Sequence, residues 1–401
     1  MSGTSLDGID FSIIKTDGED YLNIISSEYL EFSNNLKDRI SNLKLKIKST
    51  DECRAIIKSK EYKVLSREIT LLHYDGIQTI ITHVHKIPIH VVGFHGITLW
   101  HKPEDKFTHQ LGDPLLLKKK FNKYSHLKKS SLIFDFRKND ILNGGQGAPL
   151  TPLYHSAIMK HLKIVDPRLI VNIGGIINVT YLNKGNIFST DIGPGNCLID
   201  KWIKKNSEKK FDLNGQIAKS GKINKRILDQ AINKWRYKLP KNKNFDKDGK
   251  ISLEGRVNKI IANNFLNRLS IFKKQKNVSY DTSDFDLSEF KKLSPKNGAT
   301  TLSYISAKTI LNYAKNLDVK IIILCGGGRH NQAILNILKD DKFKIILIDE
   351  LDFGIGGQGD FIESQAFAYL AIRSYLNLPI SFPETTGVCE PCNGGTIVKN
   401  F

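Results

Sequence analysis

Cysteine is sparse in this 401-residue chain, with five residues: Cys53, Cys197, Cys325, Cys389 and Cys392. The count is odd and no secretion signal precedes them, which argues against a disulfide framework. Cys389-Glu-Pro-Cys392 has C-x-x-C spacing, but no second Cys or His pair stands near it to complete a four-ligand zinc site. It lies in a Gly/Pro/Thr-rich tail, without the strand and helix that flank a redox motif. No apolar run is long enough for a helical membrane span. The amino end has no basic stretch leading into an apolar one, so no signal peptide is expected and the cytoplasm is the expected compartment. The two commonest phosphate loops are also missing: there is no G-x-x-x-x-G-K-[ST], and no G-x-G-x-x-G between strand and helix.

Arginine is scarce while lysine is abundant, 11 against 49. Lys and Arg together outnumber Asp and Glu 60 to 41, a formal net charge of +19. Such a charge suits a polyanion binder. Bidentate phosphate and base recognition favours Arg, however, and the lysines are spread along the chain with no basic-aromatic stripe. A solvated basic surface is expected, with no nucleic-acid or membrane partner. Hydrophobic residues at 40% and charged residues at 25% are those of a globular protein. The length suits two domains.

Apolar strands and helical patterns alternate, which predicts an α/β class. Strands are expected at 11–14, 21–29, 89–94, 132–136, 169–173, 319–324 and 343–348, with 176–182 pairing 186–190. Helices are expected within 34–83 and at 151–162, 197–204 and 361–376, and one from Asn331. Four of the strands end in glycine turns: His95-Gly96, Gly174-Gly175, Asp191-Ile-Gly-Pro-Gly195 and Gly326-Gly-Gly328. Ligands of open α/β sheets bind beyond the carboxyl ends of strands, where glycine lets backbone N–H groups approach phosphate. A nucleotide site is therefore expected, outside the two commonest nucleotide folds.

Residues 211–223 recur as 245–257, an offset of 34 that marks a tandem duplication. Asp212, Asn214 and Gly215, like Asp246, Asp248 and Gly249, faintly suggest calcium loops. Neither copy has an acid at the twelfth position, so polar turns before helices are expected.

Individual side chains carry the candidate chemistry. Asp191, at a strand end in a glycine-lined turn, suits a general base or an Asx turn. Arg137 suits an anion clamp or a surface pair with Asp135. His95 suits a hydroxyl partner or a structural histidine. Glu363 suits a cleft acid or a first-turn acid favoured by the helix dipole. Gly3-Thr-Ser-Leu-Asp-Gly-Ile-Asp10 gathers hydroxyls, glycines and acids that suit phosphate with hydrated Mg²⁺. These residues alone reach as far as a two-domain α/β enzyme, a nucleotide-dependent transferase.

The motifs reach further. Met1-Ser-Gly-Thr-Ser-Leu-Asp-Gly-Ile-Asp10 is followed by Gly93-Phe-His-Gly96 with Trp100-His101, then by Asp135-Phe-Arg137 with Asp140. Next come Gly144-Gly-Gln-Gly-Ala-Pro-Leu150 with Pro152, Asn172-Ile-Gly-Gly-Ile176 with Asn178, then Asp191, Gly193-Pro-Gly-Asn196 and Asp200. Cys325-Gly-Gly-Gly328 with Asn331, then Asp360, Glu363 and Ala366-Phe-Ala368, close the series. In this order, over essentially the whole chain, the set resembles the anhydro-N-acetylmuramic acid kinase family.

The resemblance implies two actin/hexokinase-like (ribonuclease H-like) α/β domains around a central ATP cleft. Residues 1–133 with 364–401 would form one lobe. Residues 134–363 would form the other, containing the duplication 211–244/245–278. ATP, with Mg²⁺ bridging its phosphates, would be held by Gly3, Thr4, Ser5, Leu6, Asp7, Gly8, Ile9 and Asp10. Gly193, Gly195 and Asn196 would hold phosphate too. Gly326, Gly327, Gly328 and Asn331 would lie towards the adenosine. Asp191 would activate a water, and His95, Arg137 and Glu363 would contact the sugar. No protein side chain is expected as a direct metal ligand. The implied reaction opens the 1,6-anhydro ring hydrolytically and phosphorylates O6. The alternatives are an ordinary N-acetylhexosamine 6-kinase of the same fold and a non-catalytic ATP-binding module. The resemblance further implies a homodimer and a strand ahead of the Met1 motif. The chain departs from the family pattern at Ile97, where the family has Gln, and around 279–285, where an Arg is lacking.

Overall fold

Ser33, Ser49 and Ser59 each accept a bond from a backbone N–H three residues on. These N-caps divide the helical stretch expected over 34–83 into three helices. The computed structural model describes residues 1–3, 6–84, 87–123, 126–164, 167–238, 285–317, 319–354 and 359–398. Two compact units emerge: Met1–Ile164 with Leu351–Phe401, and Val165–Glu350. The first boundary therefore falls after Ile164 and not at 133, and the second before Leu351 and not at 363.

The first unit starts with β1 (Gly8–Thr16), β2 (Leu22–Glu31), α1 (Asn34–Leu45), α2 (Thr50–Ile57) and α3 (Lys60–His83). Then come β3 (Val91–Gly93), β4 (Ile97–Lys102), β5 (Phe107–Leu111), α4 (Pro114–Phe121), β6 (Ser131–Phe134), α5 (Lys138–Leu142) and α6 (Pro152–His161). The second unit holds β7 (Arg168–Ile173), β8 (Ile176–Asn183), β9 (Asn186–Pro194), α7 (Cys197–Asn206), α8 (Gln216–Lys219) and α9 (Lys225–Lys238). It continues with α10 (Pro295–Lys315), β10 (Ile321–Cys325), α11 (Gln332–Lys339) and β11 (Lys344–Leu347). The chain returns to the first unit for α12 (Ile362–Tyr375), α13 (Pro383–Thr386) and β12 (Thr396–Val398).

The expected α/β class is what is found. In the second unit one sheet runs β11-β10-β7-β8-β9. Counted along this unit the order is 3-2-1-4-5, with only the second strand antiparallel to the rest. This is the ribonuclease H-like arrangement that the resemblance implies. The parallel strands read as continuous apolar runs because both faces are covered. Ile170, Val171, Ile322 and Ile323 are all fully buried.

In the first unit β1 pairs with β2, while β12, β6 and β3 form a separate ladder. The strand expected at 132–136 is β6, and its pairing with β3 keeps residues 131–134 in this unit. Helix α6 joins the same unit: Tyr154 donates to Gln365 of α12 at 3.0 Å. That explains the shifted boundary. The departure at Ile97 is a core residue, fully buried on β4.

The first copy of the duplication behaves as a polar turn before a helix. Asp212 accepts from Ile217 N and Ala218 N at 2.8 and 2.9 Å. The second copy, with Asp246, Asp248 and Gly249, and the departure at 279–284 lie outside the described residues.

Candidate active site

The second unit brings its glycine turns to one edge. Strands β7, β9 and β10 run in the same direction, so the residues following each lie at the same carboxyl end. Gly195 N donates to Gly175 O at 2.9 Å, and Asn196 N donates to Gly174 O at 2.8 Å. A Cβ on Gly195 would lie 2.3 Å from Gly174 O, so the two turns can only close through glycine. Gly326 has φ +76°, and a Cβ there would meet Asn172 Oδ1 at 2.1 Å. Asn196 Nδ2 reaches Ile173 O at 3.4 Å, and lies 4.0 Å from where a Cβ on Gly327 would sit. The three turns 174–175, 193–196 and 326–328 thus form one backbone-rich surface, with α7 starting from it at Cys197. Such a surface suits anionic phosphate.

Asp191 lies on this edge. It is a β9 residue opposite Asn178, next to a register irregularity at Ile177/Asn178, and so belongs to the strand that was expected to end before it. Asn178 Nδ2 donates to Asp191 Oδ1 at 3.0 Å, which fixes the carboxylate's rotation. Asn331 is part of the support. Its Oδ1 caps α11 by accepting from Ala333 N and Ile334 N at 3.0 and 3.3 Å. A residue that local pattern did not single out holds the third turn. Arg329, 1% exposed, makes a bidentate pair with Asp349 at 2.5 and 3.0 Å. Its Nη1 donates to Gly326 O at 3.1 Å.

The first unit assembles the other candidates. His95 is buried and its ring lies 4.3 Å from that of Phe367. Arg137 Nε donates to His95 Nε2 at 3.2 Å, and Arg137 Nη1 donates to Gly147 O at 2.8 Å. This partnership replaces the surface pair with Asp135. Burial, and then the adjacent guanidinium, hold His95 neutral, its pKa well below the usual histidine value. Glu363 stands in the first turn of α12, which Ser364 Oγ ties to Ser12 Oγ of β1 at 2.6 Å. Glu363 is exposed at its surface yet crowded by protein, and lost hydration pushes its carboxyl up. The Arg137 guanidinium and the Met1 amine pull it the other way.

The amino-terminal motif divides into a loop and a strand. Gly8, Ile9 and Asp10 are already in β1, and Ile9 is a fully buried core residue. Gly3, Leu6 and Asp7 belong to the preceding loop, while Thr4 and Ser5 lie outside the described residues. Asp10 is raised to about 6, chiefly by burial. The Met1 amine opposes this, and Glu363, Asp360 and Asp7 add to it. Among the described residues no group of three His, Cys, Asp or Glu is placed to hold a metal ion. Cys389 and Cys392 are free thiols, the latter 3.1 Å from Ser381 Oγ. No helix among the described residues is long and apolar enough to cross a membrane.

The family model described as anhydro-N-acetylmuramic acid kinase matches residues 1–244 and 232–400. The overlap is the end of the first copy of the duplication. Curated relatives carry the same description. One from Pelagibacter ubique is 38% identical over 412 residues, covering 100% of this chain and 97% of the relative. One from Agrobacterium fabrum is 33% identical, again covering 100% and 97%. One from Zymomonas mobilis is 30% identical, covering 99% and 98%.

Proposed function

The chain belongs to the anhydro-N-acetylmuramic acid kinase family, and on that premise we propose how its residues divide the family's reaction. The enzyme is a kinase that opens the 1,6-anhydro ring of 1,6-anhydro-N-acetylmuramic acid and phosphorylates O6 at the expense of ATP. Asp191 takes a proton from a water, whose oxygen attacks the anomeric carbon. The bond from that carbon to O6 breaks, and O6 takes the γ-phosphoryl group. The products are N-acetylmuramate 6-phosphate and ADP. The Asn178 bond to Asp191 is what favours this assignment: it aims a carboxylate at the edge where the backbone turns gather.

The glycines of turn 193–196 let phosphate lie close against the backbone, and 326–328 lies towards the adenosine. Gly3 to Asp10 cradle phosphate as well, through the loop ahead of β1 for the most part. His95, Arg137 and Glu363 meet the sugar. Mg²⁺ suits the acid-rich start of β1, where Glu363 and Asp360 both push the Asp10 carboxyl up, without a protein side chain as its direct ligand. Carried by the ATP phosphates, it would neutralise charge on the phosphoryl oxygens. We place the reaction in the cytoplasm, where ATP is supplied, and the protein as a homodimer.

The test is coupled ADP release with 1,6-anhydro-N-acetylmuramic acid, native against Asp191→Asn. Turnover by the native chain, lost in the variant while ATP still binds, supports the reading. Turnover with N-acetylhexosamines in place of the anhydro sugar would overturn it, as would ATP binding without any turnover.

A further inference from the structure

Asp140 is 1% exposed, and its carboxylate is met by neutral donors. Gly147 N donates to Oδ1 at 2.5 Å, and the Thr386 hydroxyl of α13 donates to Oδ2. The loop between them is stapled on both sides. Gly145 N donates to the Asp140 carbonyl at 2.9 Å, and Gln146 N donates to the Thr386 carbonyl at 2.8 Å. His101 Nε2 lies 2.9 Å from Gln146 O. A Cβ on Gly145 would sit 2.2 Å from Asp140 Oδ1, so the close approach needs glycine there.

This loop delivers one carbonyl. Gly147 O accepts from Arg137 Nη1 at 2.8 Å, and Arg137 Nε donates to His95 Nε2 at 3.2 Å. Two edges of the guanidinium are therefore committed within the protein. Among the described residues its Nη2 has no hydrogen-bond partner. His95, accepting at Nε2, must carry its proton on Nδ1.

The geometry points to Asp140 as a positioning residue for sugar recognition. By latching the Gly144–Gly147 loop to Thr386, it holds the Gly147 carbonyl against Arg137. Arg137 then presents Nη2 and keeps His95 in a single tautomer. The role rests on the reading that Arg137 and His95 meet the sugar. It depends on hydrogen-bond geometry and not on charge, because an amide at 140 can accept from Gly147 N and donate to the Thr386 hydroxyl.

Steady-state kinetics and ¹⁵N NMR of the histidine rings test the latch together. Asp140→Ala is expected to raise the sugar KM about tenfold or more, with kcat and the ATP KM changed less than about threefold. The His95 nitrogens should pass from one tautomer to a mixture. Asp140→Asn should restore both readouts, and Thr386→Val, which removes one of the two donors, should fall between. Native sugar KM with a native His95 pattern in Asp140→Ala would sink the proposal, as would a loss confined to kcat. If Asp140→Ala does not fold, Thr386→Val decides by the same two readouts. A His95 pattern that shifts on mutation, in a protein whose native form does not turn over the anhydro sugar, would keep the latch and remove the functional reading.

Discussion

The two units solve the same strand-packing problem to different degrees. In the second, five strands form one ladder from β11 to β9. In the first, the ladder breaks between β1 and β3. Residues 1–2 enter the break. Met1 and Asp10 exchange two main-chain bonds, of 2.8 and 2.9 Å, and Ser2 N donates to His95 O at 3.0 Å. Beyond these residues lies a cavity of about 460 Å³, lined by Ser12, Ile14, His73, Val92 and Phe367 among others. His73 is held by Ile69 O through Nδ1 at 2.8 Å, while its buried Nε2 has no partner among the described residues. Burial holds this ring neutral, its pKa lowered to about 3. The contrast separates two forces. Hydrophobic burial gathers β1, β3, α3 and α12 around the break, but it has no direction. Only a further strand saturates two strand edges.

Asp191→Asn is expected to lower anhydro-sugar-dependent ADP release about 10²- to 10⁴-fold, the share of a positioned base. The ATP KM should stay within about threefold. Two glycines then weigh the units against each other, because Gly326 and Gly387 both have φ +76°. Gly326 is crowded by Asn172 and Ile173, whereas among the described residues nothing lies within 4 Å of a Cβ on Gly387. Gly326→Ala should cost about 2–4 kcal/mol in a denaturant titration, from the left-handed backbone plus the overlap. Gly387→Ala should cost about 1–2 kcal/mol, from the backbone alone. Equal costs would mean that the Gly326 turn yields easily.

The open sheet gives the next effect. A chain extended ahead of Met1 by about six apolar residues would continue the Met1–Asp10 pairing antiparallel to β1. At about 2–4 °C per kcal/mol, its Tm should rise about 5 °C or more. Amide exchange should slow in β1 and β3 and stay unchanged in β7 and β10. An unchanged exchange pattern would mean that the cavity does not take a strand.

The smallest effect is in pH. Asp10 is raised from its ordinary 3.8 to about 6, so between those values the folded chain binds more protons than the unfolded one. Stability should fall as pH rises through that window. The Met1 amine is lowered from 8.0 to about 6, chiefly by burial, so the folded chain binds fewer protons there. Stability should recover from about pH 6 to 8. Thermal melts across pH 4–8 would show the minimum. Asp10→Asn should remove the falling limb, and an amino-terminal extension, which turns the amine into an amide, the rising one.

Much of this was legible beforehand where a signal is local. The apolar runs 169–173 and 319–324 are β7 and β10, and 176–190 is a hairpin, because strand patterns and turn residues lie side by side in the chain. Helix α10 was missed. It carries Gly298, Thr and Ser among its apolar residues, all weak helix formers. What holds it is tertiary: a Cβ on Gly298 would lie 2.2 Å from Trp202, so glycine lets the indole pack against the helix. The β4–β5 hairpin was missed too, its pattern blurred by the irregularity between Thr98 and Trp100.

Among the candidate residues the same division holds. Local sequence alone determined the α/β class and the glycine turns at strand ends, and the ordered motifs carried the resemblance to the family. Each is written in neighbouring residues. Tertiary structure decided that three turns share one edge and that Ile9 fills the core. It also gave Arg137 to Gly147 and His95 and left Asp135 aside. Arg329 with Asp349, and Asp140 with Thr386, are partnerships across 20 and 246 residues. A buried polar group must find its partner wherever the folded chain brings one, and no local pattern records which distant residue that is.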